Sequence, residues 1–277
     1  MEMVKISKID MLFKINIIAF DIASRILSGI SLPRYINKRK LRLNNKELKN
    51  KKKFDKCYII GLGPSLKDIN LNGLDGDSIV VNHFYKFGKD IKFRPTYYLA
   101  VDNSFASSEH IDSIYEAIDL YKYSTTFILS EKITKEIKNL DFSGIYSVFG
   151  GGQLFNSNSK IDFTKRYPIG FNVLADAIML AIYLGYKEIV LLGADFNSFA
   201  SQKALHVYEE EDDRKIELWK ELFCYSIVAH VHKELNNYGK KNNITIINAT
   251  KGSLIDSYDR DEEYLEKTDN IQKFKGK

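Results

Sequence analysis

Residues 56–66 read KCYIIGLGPSL. Cys57, Tyr58, Ile59 and Ile60 make a short apolar and aromatic run that ends in Gly61, Leu62, Gly63, Pro64 and Ser65, the pattern of a buried strand stopping at a tight turn before a helix. Glycine at 61 and 63 lets the backbone turn sharply and approach a ligand, Pro64 suits a first helical turn, and the N–H groups of such a turn attract an anion. The full three-glycine dinucleotide fingerprint is missing, so an ordinary strand-to-helix turn fits the same residues.

The pattern repeats along the chain. Residues 78–81 (SIVV) run into Asn82, 96–101 (TYYLAV) into Asp102 and Asn103, 188–192 (EIVLL) into Gly193 to Asp195, and 244–247 (ITII) into Asn248, with a further strand at 125–129 (TTFIL). Helical spacing occupies 109–121, 172–184 (NVLADAIMLAIYL, ended by Gly185) and 214–239, while 144–161, with Gly150, Gly151 and Gly152, reads as loop. Alternating strands and helices predict an α/β, Rossmann-like, mostly parallel sheet with helices on both faces. In such sheets the ligand lies across the C-terminal strand ends, where Gly61, Gly63, Ser65, Asn82, Asp102, Asn103 and Asp195 gather.

A chain of 277 residues supports one domain of about 200 residues with an extension. The expected division is an extension over 1–55, a Rossmann-like domain of nucleotide-fold pattern over 56–260 and a charged tail over 261–277. Residues 34–56 hold eleven Lys or Arg against two acids, a net +9, and residues 1–33 add +1, so the overall +5 leaves −5 on the rest. An acidic body argues against a nucleic-acid partner. Two cysteines, Cys57 and Cys224, fit neither a disulfide framework nor a metal site, and a reducing, cytoplasmic compartment is expected.

Within the extension, Met11, Ile15, Ile18, Ile22 and Ile26 recur at helical spacing, and Asp10, Lys14, Asp21 and Arg25 interrupt every apolar run before it could span a bilayer. An amphipathic N-terminal helix followed by a basic stretch suits a peripheral position on the anionic inner face of the cytoplasmic membrane. A helix packed on the domain or on a second subunit of a homo-oligomer is the alternative.

GLGPSL at 61–66, VNHFY at 81–85, the pair Asp102 and Asn103, Arg166 followed four residues later by Gly170, and LGYKEIVLLGADF at 184–196 together resemble the bacterial sialyltransferases of glycosyltransferase family 42. The same elements, with INATKGS at 247–253, also resemble the pterin pyrophosphokinase-like proteins of polysaccharide gene clusters. The sialyltransferase resemblance implies a Rossmann-like, inverting transferase that uses CMP-sialic acid or a related activated sugar and needs neither metal nor cofactor. Its acceptor would be a glycan or a lipid-linked sugar. By the same resemblance Gly63, Ser65 and Asn82 would hold the nucleotide, Asn103 and Gly170 would line the donor pocket, and Tyr208 would stand near the leaving phosphate. Leu62 departs from the family's Asn, and Pro168 with Ile169 from its Thr-Ser pair. The pterin resemblance implies an ATP- and Mg-dependent kinase, and a non-catalytic scaffold is a third reading.

His206 lies in a polar segment where a lid over 197–213 is expected, and histidine is the side chain suited to take an acceptor hydroxyl's proton near neutrality. A surface histidine fits the same position. Asp195 can orient a hydroxyl, bind Mg2+ beside a nucleoside triphosphate, or simply close a turn. Arg166 can neutralise a carboxylate or phosphate, or be a surface charge beside Lys165. The acid run 209–213 resembles a metal site by composition alone.

Overall fold

The computed structural model describes residues 7–29, 43–137, 144–201, 205–208 and 217–266. Its spine is β1 (Lys56–Ile60), which pairs in parallel with β2 (Asp77–Val81) on one side and β7 (Glu188–Leu192) on the other. Beyond β2 follow β3 (Tyr97–Ala100), β4 (Thr126–Ser130), β5 (Ile145–Leu154) and β6 (Arg166–Ile169), and beyond β7 follow β8 (Thr245–Asn248) and β9 (Asp259–Arg260). Among the described residues this gives one nine-stranded, wholly parallel sheet, ordered β6-β5-β4-β3-β2-β1-β7-β8-β9, as the sequence predicts for its class. The order reverses between β1 and β7.

Successive side chains of a strand point to opposite faces, and both faces here are apolar, hence the nearly continuous hydrophobic runs. Cys57 and Ile59, with Ile79, Leu99 and Ile189, face α5 (Val173–Leu184) and α6 (Leu218–Lys241). Tyr58 and Ile60, with Val80, Tyr98 and Leu192, face the other core, closed by α2 (Phe84–Gly88), α3 (Ile111–Tyr121) and α4 (Glu131–Glu136). The N-terminal helix α1 (Lys8–Gly29) lies over β5 and inserts Ile17 and Phe20 against the first of these cores. Asp21 accepts the Leu154 N–H at 2.6 Å, and Phe20 meets Phe171 and Phe223 edge-on at 4.9 and 6.3 Å.

Two expectations shift. Residues 43–55, assigned to the linker, are built into the body: Leu48 is fully buried and Asn45 donates to the Ser147 and Phe163 carbonyls, both at 2.8 Å. The Asp77 carboxylate accepts the Lys53 and Phe54 N–H groups and the Thr96 and Tyr186 hydroxyls, fixing the same segment to the start of β2. Residues 144–161, read as loop, contain β5, whose glycines accommodate a register shift between Gly150 and Leu154 against β6. The rest of the basic stretch, residues 30–42, and the tail from 267 lie outside the described residues.

Candidate active-site crevice

At the β1 and β7 ends two chains cross at backbone contact. Gly61 N–H donates to the Leu192 carbonyl at 2.8 Å and Gly63 N–H to the Gly193 carbonyl at 2.9 Å. A Cβ on Gly61 would lie inside contact distance of the Gly193 carbonyl oxygen, with its carbon 2.9 Å away, and one on Gly63 would strike the Asp195 carboxylate. Glycine is therefore required by the crossing itself. The N–H groups expected to await an anion are occupied, because Ser65 donates to Asp195 through both its N–H (3.1 Å) and its hydroxyl (2.7 Å). The protein's own carboxylate takes the anion position at the start of the 64–68 helical turn.

Beside this crossing opens a cavity of about 270 Å³, lined by Gly61, Gly63, Asn82, Asp195 and His206. It sits at the switch point, where the strand order reverses and an open α/β sheet leaves a crevice. The buried Asn82 Oδ1 and His83 Nδ1 have no hydrogen-bond partner among the described residues. Burial holds His83 neutral by pulling its pKa down to about 4, helped by the nearby Lys86 cation. Two non-glycine residues lining the cavity, Asn82 and Phe196, have left-handed backbones (φ 45° and 59°), strain of about 1–3 kcal/mol each of the kind that concentrates at functional sites.

Val207 N–H donates to the Leu62 carbonyl at 2.7 Å and its side chain is buried, which pins the short segment 205–208 onto the glycine turn. The flanking His206 and Tyr208 rings stack with centroids 5.1 Å apart. Tyr208 in turn has His83 at 6.1 Å and the Lys86 ammonium 4.9 Å from its ring centre. Of the expected lid, residues 202–204 and 209–213, including the acid run, lie outside the described residues.

A second cavity, about 390 Å³, continues along the ends of β3 to β6 and is lined by Asn103, Ser130, Glu131, Tyr167 and Asp176 among others. Sequence reasoning missed Asp176. It is buried at the first turn of α5, accepts the Gly170 N–H at 3.1 Å, and has its pKa pushed up to about 7 by burial, so it is poised to exchange a proton near neutrality. The available signal was a lone acid inside the otherwise apolar NVLADAIMLAIYL.

Of the residues singled out in the sequence, the structure thus brings Gly61, Gly63, Asn82, Asp195 and His206 to one cavity, with Ser65 behind it and Tyr208 stacked on His206. Asn103 and Gly170 belong to the second cavity or its wall. Asp102 is exposed and caps the turn 103–106 by accepting the Ser104 N–H at 2.9 Å. Arg166 stands apart from both cavities, over the Phe149 ring in a cleft with Arg25, Lys160 and Lys165. His232, on α6, is buried and meets the Tyr258 hydroxyl at 2.8 Å, a structural role.

Sheet, switch point and paired cavities define an open, parallel, Rossmann-like α/β protein with a two-chambered crevice at its strand ends. The chain belongs to the MptE-like family: the model for 6-hydroxymethylpterin diphosphokinase MptE-like proteins matches residues 35–199. No curated protein matches the sequence. Among solved structures it is similar to the monofunctional alpha-2,3-sialyltransferase Cst-I from Campylobacter jejuni, at 18% identity over 74% of this chain and 79% of that one, with a TM-score of 0.47. The sialyltransferase CstII from the same organism, in complex with the substrate analogue CMP-3FNeuAc, matches at 18% identity over 75% and 86%, TM-score 0.47. The MAf glycosyltransferase from Magnetospirillum magneticum AMB-1 matches at 12% identity, over 86% of this chain and 41% of that one, TM-score 0.49. Identities and scores this low transfer no activity.

Proposed function

We propose that the protein is a glycosyltransferase that draws on a nucleotide-activated sugar, CMP-sialic acid or a related sugar first, and works in bacterial surface-polysaccharide assembly. The observation that carries this reading is the pair of adjoining cavities at the strand ends, one bounded by His206 and the unpartnered Asn82 acceptor, the other by polar groups suited to a second substrate. In the reaction an acceptor hydroxyl attacks the anomeric carbon as the bond to the nucleotide phosphate breaks. The bonding electrons leave with the phosphate, and the hydroxyl proton passes to the His206 imidazole. In this reading Tyr208, which has the Lys86 ammonium 4.9 Å from its ring centre, would donate to the departing phosphate oxygen. Ser65 already binds both oxygens of Asp195, which supports a role for this carboxylate in shaping the turn and favours a reaction without a resident metal or other cofactor.

Family membership favours a second reading, transfer of diphosphate from ATP to a hydroxymethylpterin with Mg2+. Thermal-shift titration with CMP, UDP, GDP and ATP, each with and without Mg2+, separates the two. The transferase reading expects stabilisation by CMP without metal. Selective stabilisation by ATP with Mg2+ overturns it in favour of the kinase, and silence with all four leaves a scaffold. The proposal also places the enzyme in the cytoplasm, peripheral to the membrane on which a glycan or lipid-linked acceptor is built.

A further inference from the structure

The packed face of α1 is formed by Phe13, Ile17, Phe20 and Ser24, and this leaves the opposite face without cover. Met11, Ile15, Ile18, Ile22 and Ile26, spaced by three or four residues, form one outward stripe, and each is more than half exposed. That is far more apolar side chain than scattered surface residues explain. The stripe does not end with the helix. Helix α6 runs antiparallel beside α1, since Phe13 meets His230 at 5.9 Å while Phe20 meets Phe223 at 6.3 Å, and the same geometry carries the α6 N-terminus alongside the end of α1. There Leu218, Trp219, Leu222 and Phe223 are also exposed, Trp219 at 65%. Two helices remote in sequence thus present one continuous apolar surface.

Its other flank carries an excess of basic charge. Arg25, paired with Asp21 at 2.8 Å, opens into a cleft of about 450 Å³ lined also by Lys160, Lys165 and Arg166, with Asp162 the one acid of that lining. Asp162 accepts the Thr164 N–H and hydroxyl at 3.0 and 2.6 Å through one carboxylate oxygen and has Lys165 at 3.8 Å from the other, so the lining keeps a net basic charge. The thirteen residues that follow α1 in sequence, 30–42, add five Lys or Arg and no acid. No helix among the described residues is long and apolar enough to cross a membrane.

We infer that α1 and the first turns of α6 form a single surface that seats the protein on an anionic lipid bilayer, with the apolar stripe and Trp219 entering the headgroup boundary and the Arg25, Lys160, Lys165, Arg166 cleft taking lipid phosphate. The charge of the flank selects this occupant: an apolar face bordered by a cleft with four basic side chains against Asp162 and Asp21, with a tryptophan at its edge, matches the boundary between acyl chains and acidic headgroups. The inference is independent of which donor the crevice takes. It extends the contact expected of the N-terminal segment to α6 and to the cleft, and it gives Arg166 a place other than the donor pocket.

Trp219 is the one tryptophan of the chain, so its emission reports this surface alone. Full-length protein titrated with phosphatidylglycerol-rich vesicles should show a blue shift, quenching by lipids brominated in the acyl chain, and co-sedimentation, all reversed by salt and absent with phosphatidylcholine alone. Arg25→Ser with Lys165→Ser should weaken binding about 10- to 30-fold. Ile18→Ser with Ile22→Ser, both at exposed positions, should abolish it with the far-UV spectrum and Tm unchanged. Unaltered Trp219 emission together with no co-sedimentation overturns the inference. So does a blue shift without vesicles that rises with protein concentration alongside a dimer in sedimentation velocity, which assigns the face to a second copy, and so does equal binding to phosphatidylcholine, which removes the cationic cleft from the interaction.

Discussion

The two halves of the crevice are built on opposite principles. At the β1–β7 crossing the polar groups that a phosphate would be expected to meet are engaged within the protein: Gly61 and Gly63 donate to the facing carbonyls, and Ser65 closes on Asp195. At the neighbouring strand ends the protein leaves groups open or under stress, with Asn82 Oδ1 and His83 Nδ1 unpartnered among the described residues and Asp176 buried with its pKa raised. A glycine-rich turn after a strand invites the reading of a phosphate cradle. Here it is a closed joint, and the groups left for a ligand to satisfy lie one strand further along. Substitutions on the open side should therefore change chemistry and proton balance, and substitutions on the closed side should change stability.

The largest effect is expected at the open end. His206→Ala should lower kcat about 10²- to 10⁴-fold with little change in donor affinity, read by steady-state kinetics with a CMP-activated sugar. Near-wild-type turnover would remove His206 from the mechanism and turn attention to His83. Next is the pH dependence of stability carried by Asp176. Its folded pKa of about 7 lies above its ordinary 3.8, so the folded state favours the protonated form. The associated stability is fully present below about pH 4, is lost as pH rises towards 7 and is constant above that, amounting to about 4 kcal/mol at most. Denaturant unfolding from pH 4 to 8 should show a shallower decline in Asp176→Asn than in the parent, and identical slopes would refute the assignment.

On the closed side, Gly61→Ala should cost about 1–3 kcal/mol or more, because the crossing cannot widen around a methyl. Gly29→Ala at the end of α1, where a Cβ meets nothing within 4 Å, is the matched control and should change little. The smallest effect is expected from Asp195→Asn, which loses the charge in two hydrogen bonds to Ser65 and should destabilise by about 1–2 kcal/mol. It should also open the plugged anion position, so that inorganic phosphate raises the Tm of this variant and not of the parent. Equal phosphate responses would dissolve the contrast between a closed and an open half.

The strands β1 to β4, β7 and β8 were legible because strands buried on both faces show as unbroken apolar runs. The edge was not: β5 carries Gly150 to Gly152, which read as loop without the partner strand that satisfies them, and β6, four residues with a proline, gives no strand pattern of its own. Asn45 was hidden for a related reason, as its two carbonyl partners lie 102 and 118 residues away. At the site, residue types at strand ends located the crevice, yet side-chain direction could not be read. Asp195 looked equally like an orienting group, a metal ligand and a turn residue until Ser65 came into contact with it. Asp176 escaped notice because an apolar helix conceals the one turn that faces a cavity.

Val207 has a mechanical consequence. It is the pivot of the segment that carries both aromatic rings, held from below by its buried side chain and from behind by the Leu62 carbonyl. Residues 206 and 208 flank it as the two arms of a lever, and their stacked rings share that one anchor. The aim of the rings is thus set by a valine that lines neither cavity. A change of bearing there would reach both rings at once, and the tilt of the glycine turn beneath would be transmitted to them without passing through the substrate.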